Sequence, residues 1–241
     1  MSITNTESGT NIFEIADGIY RINTPLSVVP GGFSFNQYLI VDDEPLLFHT
    51  GLRRMFPLVR EAVATVIPVE RLRYVGLSHY EADECGSLND WLAAAPQAVA
   101  VCSRVAAMTS IGDIADRPPR ALAEGETILL GKRRVRWFDT PHLPHAWECG
   151  FMMEQQTRTL LCGDLFTQPA TRRRRLPSRI FSGQANRCAR VWTISRTRQT
   201  QERCSNDSRA RNLRRLRACT AAHGAATEPR CYESWPTTWN K

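Results

Sequence analysis

The sequence predicts an α/β protein in which alternating strands and helices are followed by a second set of strands. Three observations support this prediction: residues 35–48 have the pattern of a β-hairpin, residues 55–102 alternate between helical and strand patterns, and residues 127–162 contain four further strand patterns. Polar side chains follow several of these strands, which is where layered α/β proteins place functional groups. We therefore expect one layered domain with a site at its strand ends.

Each element is predicted from the spacing of its apolar residues and from the residues that end it. Residues 35–41 and 46–48 flank an acidic turn that contains Pro45, which predicts an antiparallel hairpin. Residues 55–66 have apolar side chains at helical spacing, and Pro68 follows them. The remaining predicted strands are residues 19–22, 74–77, 98–102, 127–130, 132–138, 150–154 and 159–162, and the remaining helix is residues 87–95, which Pro96 ends.

The 241-residue chain changes in composition near Gln168. Residues 1–168 contain 14 basic and 20 acidic side chains, whereas residues 169–241 contain 17 basic and 4 acidic ones and only seven Leu, Ile, Val, Phe or Met residues. Such a low apolar content does not bury a core. We therefore predict a folded domain at residues 1–168 and a disordered basic tail at residues 169–241.

The sequence contains no predicted targeting or membrane segment. Its first eight residues are mostly polar, and no apolar run approaches the length that spans a membrane. Cys85, Cys102, Cys149 and Cys162 lie in or beside apolar stretches without CxxC spacing, which is typical of reduced, buried thiols. These features predict a cytoplasmic protein that does not contact a membrane.

The clearest candidate site follows the predicted strand at residues 74–77. His79, Glu81 and Asp83 stand at alternate positions, with Glu84 beside them. A solvated acidic loop is the alternative interpretation, but a histidine leading two carboxylates at alternate positions favours half of a metal site. His49 also follows a strand; because a lone histidine there is more often structural, we leave it out of the site.

Two later loops carry similar chemistry. Residues 140–148 follow one predicted strand and contain His142 and His145, and Asp164 follows another strand. Together with the first loop, they supply a second imidazole and a carboxylate that is able to bridge two ions. The basic residues at 132–136 alternate with apolar ones, which predicts a solvated sheet face rather than nucleic-acid contact.

These loops resemble those of the metallo-β-lactamase superfamily, whose fold is an αββα sandwich with a binuclear site. The first motif of its zinc hydrolases reads His-x-His-x-Asp-His, whereas this chain has His79, Glu81, Asp83 and Glu84 at those places. The glutamate at the second place is similar to the flavodiiron and oxygen-binding diiron branch. The resemblance covers residues 12–168 and implies an αββα sandwich that is C-terminally incomplete here.

The resemblance also implies a set of ligands. His79, Glu81 and His145 would bind one iron, Asp83 would bind the other, and Asp164 would bridge them. No catalytic or cofactor-binding residue is predicted beyond this metal site.

Two further residues are open candidates in this site. His142 competes with His145: hydrolases often place their histidine closer to the Thr-Pro pair, but the nineteen-residue interval from His145 to Asp164 is the one found in the diiron branch. Glu84 stands where the family commonly has histidine. We expect it either to hold a ligand in place or to be a distant oxygen ligand.

The implied function is a binuclear, diiron protein that binds, senses or reduces oxygen or nitric oxide. Carboxylate-rich sites with few imidazoles suit iron or manganese better than zinc. A zinc-dependent hydrolase of esters, thioesters or amides is the alternative. Flavodiiron enzymes also carry a flavodoxin-like domain, for which this chain has neither room nor a phosphate-loop pattern. We therefore expect either that a separate partner donates electrons to the site or that the domain only binds and senses a gas. A second copy of the chain, in a homo-oligomer, is a further candidate partner.

The resemblance also implies a last histidine ligand, in the part of the chain that the tail occupies. His223 is its only histidine, but the tail has no periodic pattern and resembles translation out of frame. In the alternative frame, residues 217–228 permit a peptide similar to the family's terminal histidine motif, and Trp192 followed by Thr193 requires Asp. We predict a one-nucleotide frameshift near residues 168–171, which makes His223 a coincidence and removes the final ligand of the second metal. The rival interpretation is an arginine-rich, nucleic-acid-binding arm, which the absence of any pattern disfavours.

Overall fold

A computed structural model of the protein describes residues 1–26 and 32–167, and these residues form two β-sheets and one layer of helices. Eight strands make up the first sheet, with every strand beside the one that precedes it in the chain. The strands are β1 (Ser2–Asn5), β2 (Thr10–Ala16), β3 (Ile19–Leu26), β4 (Phe33–Ile40), β5 (Leu46–Phe48), β6 (Tyr74–Gly76), β7 (Val99–Ser103) and β8 (Arg120–Leu122).

The first sheet changes from antiparallel to parallel at β5. Strands β1 to β5 pair antiparallel through short connections, whereas β5 to β8 pair parallel. Parallel neighbours need longer crossovers, and helices supply them here. These helices are α1 (Phe56–Ala64), α2 (Ala82–Cys85), α3 (Leu88–Ala94), α4 (Arg104–Thr109) and α5 (Ile111–Ile114).

Four antiparallel strands form the second sheet. They are β9 (Thr127–Leu129), β10 (Arg134–Asp139), β11 (Gly150–Glu154) and β12 (Thr159–Leu161), again with each strand beside its predecessor.

An apolar core lies on each face of the first sheet. On one face, Leu47 of β5 packs in a cluster with Val63 of α1 and Trp91 of α3. On the other face, Phe48 packs in a cluster with Trp137 of the second sheet. Successive strand residues point to opposite faces, so adjacent leucine and phenylalanine residues supply different cores. The described layers are therefore helix, sheet and sheet.

The structure confirms the predicted hairpin, the two predicted helices and the strand at every predicted position. The ends shift by one or two residues, except that β3 continues to Leu26, four residues past the predicted strand at residues 19–22. It adds elements that were not predicted. Strand β1 is polar and joins the sheet through its backbone pairing with β2, and α4, α5 and β8 are too short to show a periodic pattern.

The basic cluster lies largely on a solvated face, as predicted, since Lys132, Arg134 and Arg136 are exposed. Arg133 is the exception. Its guanidinium is buried, and its Nη2 lies 2.7 Å from Asp17 Oδ2.

Several predictions concern residues that the structure does not describe. The second helical layer of the expected sandwich, the disordered tail, the frameshift and His223 all lie outside residues 1–26 and 32–167. Among the helices of these described residues, none has the length and apolar content needed to cross a membrane.

Candidate metal centre

Three strand ends bring the predicted site residues together. His79 follows β6, His145 lies in the loop after β10, and Asp164 lies in the short 3₁₀ helix Gly163–Phe166 after β12. The backbone N–H of Gly150 donates to the carbonyl of Ser78 at 2.8 Å and so joins β11 to the loop that carries His79. Both sheets therefore contribute to the position of the site.

The first group of candidate ligands is His79, Glu81, His145 and Asp164, whose nearest ligand atoms all lie within 4.8 Å of one another. His79 Nε2 lies 3.7 Å from Asp164 Oδ2 and 3.8 Å from Glu81 Oε2. His145 Nε2 lies 3.4 Å from Asp164 Oδ2. Ligands about 2.1 Å from a single ion lie roughly 3–4 Å from one another, so this group has the spacing of a coordination shell.

A second group overlaps the first. Glu81, Asp83 and Glu84 offer oxygen atoms within 4.8 Å of one another. Glu84 Oε2 also lies 3.9 Å from His79 Nε2. Because Glu81 belongs to both groups, the residues form two adjacent positions rather than two separate sites.

Among the residues of the two groups, two buried atoms have no hydrogen-bond partner in the described residues: His79 Nε2 and Glu84 Oε2. A buried polar atom without a partner is unfavourable, commonly by about 1–3 kcal/mol. Both atoms face the carboxylates of the two groups, and a cation between them would satisfy both. The donor set of imidazoles and carboxylates fits iron, manganese or zinc.

Burial shifts the pKa values of the two buried candidate ligands, His79 and Glu84. It lowers the pKa of His79, with smaller opposing effects from Asp164 and other carboxylates. Burial, followed by the neighbouring charge of Asp83, raises the pKa of Glu84 to about 10. Without a cation this carboxyl is neutral at pH 7, whereas a nearby divalent ion favours its charged form.

His49 belongs to neither group, but it supports the site. Its Nε2 lies 2.8 Å from Ser78 Oγ, and the same Oγ lies 2.8 Å from His79 Nδ1. Burial lowers the pKa of His49 to about 3, so its ring is neutral. Ser78 was not singled out from the sequence; its position directly before His79 was the only available signal.

The loop after β5 fixes the segment that carries Asp83 and Glu84. The N–H and the hydroxyl of Thr50 both donate to the carbonyl of Glu84, at 2.8 and 2.9 Å. Gly86 ends this segment against that loop, because a Cβ there would lie 2.8 Å from Arg53 N and 2.3 Å from Ala82 O. Glu84 therefore points inward from a fixed backbone.

His145, and not His142, joins the candidate ligands. His142 has a left-handed backbone with φ of 62°, and its N–H donates to the carbonyl of Ala146. The side chains of His145 and Glu81 are 45% and 44% exposed, so the site opens to solvent on this side. An open groove of about 700 Å³, lined by Tyr80, Arg53 and Asn89 among others, begins at Glu81.

Glu148 is a further buried residue that the sequence did not single out as a supporting group. Its Oε1 accepts a hydrogen bond from the N–H of Tyr80 at 3.1 Å, and its carbonyl accepts one from the hydroxyl of Ser103. It thus holds the backbone directly after His79. Nothing in its local sequence distinguishes it from other loop carboxylates.

Comparison with known families assigns the fold. A family model described as ODP family beta lactamase matches residues 33–189. The chain belongs to the ODP beta-lactamase family. The match begins at β4, includes all of the candidate ligands, and continues past the start of the basic tail.

Relatives of the ODP-family chain include two curated proteins. The chain described here is 29% identical over 143 residues to a rubredoxin-oxygen oxidoreductase from Megalodesulfovibrio gigas, and the match covers 58% of this chain and 35% of that protein. It is 26% identical over 169 residues to a nitric oxide reductase from Moorella thermoacetica, covering 64% and 41%. The chain therefore spans well under half the length of these relatives.

Among solved structures, the ODP-family chain is similar to the rubredoxin oxygen:oxidoreductase from Desulfovibrio gigas. The TM-score is 0.62 at 24% sequence identity, and the match covers 74% of this chain and 48% of the other. This likeness shows the metallo-β-lactamase-like fold.

Proposed function

We propose that this protein holds a binuclear metal centre, with iron as its metal, and that the centre binds, senses or reduces oxygen or nitric oxide. The observation that carries this proposal is the pair of overlapping ligand groups, which share Glu81. They enclose two buried atoms, His79 Nε2 and Glu84 Oε2, that have no hydrogen-bond partner in the described part of the chain. The ligands are His79, Glu81, His145, Asp83 and Asp164.

Ferrous ions in such a site would supply electrons and coordination positions for a diatomic gas. The protein contributes the arrangement around them. His79 is held by Ser78 with Nε2 facing the carboxylates, and Asp164 lies against both imidazoles. The half-exposed side chains of Glu81 and His145 leave a path for a small ligand.

The names of the relatives support oxygen or nitric oxide as the ligand. One is named for rubredoxin and oxygen, and the other for nitric oxide reduction. We further propose that electrons come from a separate donor and that the chain forms a homo-oligomer. Residues 1–168 would form the metal-binding domain and residues 169–241 a separate basic tail. The buried thiols of Cys85 and Cys102 support a cytoplasmic location.

A second candidate is hydrolysis of an ester, thioester or amide with bound zinc. The groove of about 700 Å³ beside Glu81 favours it, because a diatomic ligand needs far less space. The predominance of carboxylates in the two ligand groups favours iron instead.

Metal analysis tests the choice between these functions. Full-length protein is loaded anaerobically with Fe²⁺ or Zn²⁺, desalted, and assayed for metal content, for the visible spectrum with nitric oxide, and for ester hydrolysis. We expect retained iron and a nitric-oxide-dependent spectrum. Retention of zinc alone, with ester cleavage, would overturn the diiron proposal.

A further inference from the structure

His49 has a backbone conformation that is uncommon for a residue with a side chain. Its φ is 65°, in the left-handed region. Its N–H donates to the carbonyl of Gly76 at 2.8 Å, and its ring stacks on Phe48 with the ring centroids 4.3 Å apart. Backbone strain of this kind persists where the surrounding structure fixes it, and it is concentrated at functional sites. The ring of His49 is therefore held in one place by both its backbone and its neighbours.

The two nitrogens of this ring face different parts of the metal centre. Nε2 lies 2.8 Å from the hydroxyl of Ser78, which also lies 2.8 Å from His79 Nδ1. Nδ1 lies 4.0 Å from Glu84 Oε1, and both of these side chains are buried. One ring thus reaches the first ligand group through Ser78 and the second through Glu84.

A cation at His79 Nε2 gives these contacts a direction. The proton of His79 is then on Nδ1 and is donated to Ser78, whose own hydroxyl is left to donate to His49 Nε2. The proton of His49 is then on Nδ1, facing Glu84 Oε1. A separation of 4.0 Å is too long for a hydrogen bond, but in a buried site the N–H dipole still favours a negatively charged oxygen. The form of His49 that suits a cation at His79 therefore also suits a charged Glu84.

We propose that His49 is a positioning residue that couples the two ligand groups, accepting from Ser78 at Nε2 and directing its Nδ1–H at Glu84. This inference rests on the proposed metal centre and leaves its ligands unchanged. It gives the left-handed backbone of His49 a role, since that conformation places one ring between both groups.

The position of the proton on His49 tests the direction of these contacts. Full-length protein labelled with ¹⁵N-histidine is loaded with Zn²⁺, which is diamagnetic, and long-range nitrogen–proton spectra show which ring nitrogen carries the proton. We expect the proton of His49 on Nδ1. A proton on Nε2 in the loaded protein would overturn the inference and leave the metal centre standing.

Variants of His49 separate positioning from packing. Asparagine also adopts positive φ readily, so H49N keeps the backbone, but its side chain is too short to accept from Ser78. We expect H49N to lower the Fe²⁺ affinity of the full-length protein by about tenfold, measured by anaerobic competition with a chelator. H49Q, whose longer side chain again offers an oxygen to Ser78, should recover part of this loss.

The contact with Glu84 is tested by a double variant. Because one ring serves both groups, the effects of H49N and E84Q on Fe²⁺ affinity should not be independent. We expect the double variant to lose less affinity than the product of the two single losses. Losses that multiply would show that His49 acts on the first group alone, which would overturn the coupling.

His142 supplies the matched control. It is another histidine with a left-handed backbone, φ 62°, but it is exposed and belongs to neither ligand group. We expect H142N to keep the Fe²⁺ affinity of the unaltered protein. A lower unfolding midpoint in H49N without any loss of Fe²⁺ affinity would make His49 a packing residue and overturn the inference, whereas failure of the unaltered protein to retain Fe²⁺ would overturn the metal centre itself.

Discussion

His49 and His79 bond to the same hydroxyl, that of Ser78, with each nitrogen-to-oxygen distance at 2.8 Å. A metal bound at His79 Nε2 requires the proton of that ring to be on Nδ1, which then donates to Ser78 Oγ. The serine hydroxyl is left to donate to Nε2 of the neutral His49. The three side chains can thus accommodate the form of His79 that binds metal.

The first prediction concerns this serine. We expect S78A to weaken metal binding at the first position by about 10- to 100-fold, the usual effect of removing the partner of a ligating histidine. Affinity is measured by competition with a chelator. S110A, which removes a hydroxyl in the segment between α4 and α5, is the control. Equal affinities for S78A and the unaltered protein would show that the hydroxyl does not orient His79.

The second prediction separates the two histidines of the loop after β10. His145 lies among the candidate ligands, whereas His142 is in neither group. Removing a residue that only supports a ligand lowers metal affinity by up to roughly 100-fold. We expect H145A to lower the metal affinity by more than this, and H142A to keep the affinity of the unaltered protein. Elemental analysis after desalting distinguishes them. Retention of metal by H145A together with its loss from H142A would reverse the assignment.

The third prediction concerns the packing of α2 against the loop after β5. A Cβ at Gly86 would lie within 3 Å of Ala82 O and Arg53 N, both of them backbone atoms that cannot move independently. We expect G86A to lower the free energy of unfolding by about 1–3 kcal/mol, the usual cost of overpacking. Urea unfolding monitored by circular dichroism measures this. A midpoint equal to that of the unaltered protein would contradict the close approach.

The fourth prediction concerns the buried thiols. Burial raises the pKa of Cys102 to about 12 and also raises the pKa of Cys85, so both are protonated at pH 8. Since the thiolate is the reactive form, neither should react with iodoacetamide in the folded protein, and both should react in denaturant. Peptide mapping by mass spectrometry identifies the modified residues. Rapid alkylation of Cys102 in the native protein would indicate that β7 opens readily.

The fifth prediction concerns the tail. If the frameshift hypothesis is correct, resequencing the gene across codons 160–241 will show a one-nucleotide change near residues 168–171, and restoring the frame will recover the terminal histidine motif. The family match extends to residue 189, which is past the predicted position of the frameshift. The nucleotide sequence is therefore needed to decide whether the frame changes there. A clean gene, with nucleic-acid binding that salt abolishes and deletion of residues 169–241 removes, would instead support the arginine-rich arm.

The sequence predicted the part of the site that depends on local spacing. His79, Glu81 and Asp83 stand at alternate positions after a strand, and the interval from His145 to Asp164 favoured the histidine that lies in the first group of candidate ligands. Ser78 and Glu148 were beyond prediction because their roles depend on contacts between segments distant in the chain. The same holds for strand β1, whose side chains are mostly polar and whose position follows from pairing with β2.

Glu84 shows why an inward-facing carboxylate is hard to predict. Its sequence neighbours are acidic, and an acidic run is normally solvated. Its burial follows from the hydrogen bonds between the Thr50 side chain and backbone and the Glu84 carbonyl, and from the close packing of Gly86. These contacts join the loop after β5 to α2, and no pattern in the sequence of either segment alone predicts them.

Within each sheet of the described residues, every strand after the first lies beside the strand of that sheet that precedes it in the chain. No strand of the described part therefore has to wait for a later one before it pairs. As the chain leaves the ribosome, each new strand can add to an existing edge, and such sequential pairing keeps contacting segments close in sequence. His79, Glu81 and Asp83 would be in place on the first sheet before His145 and Asp164 are synthesised, so these two ligands would join the metal centre only with the last described strands.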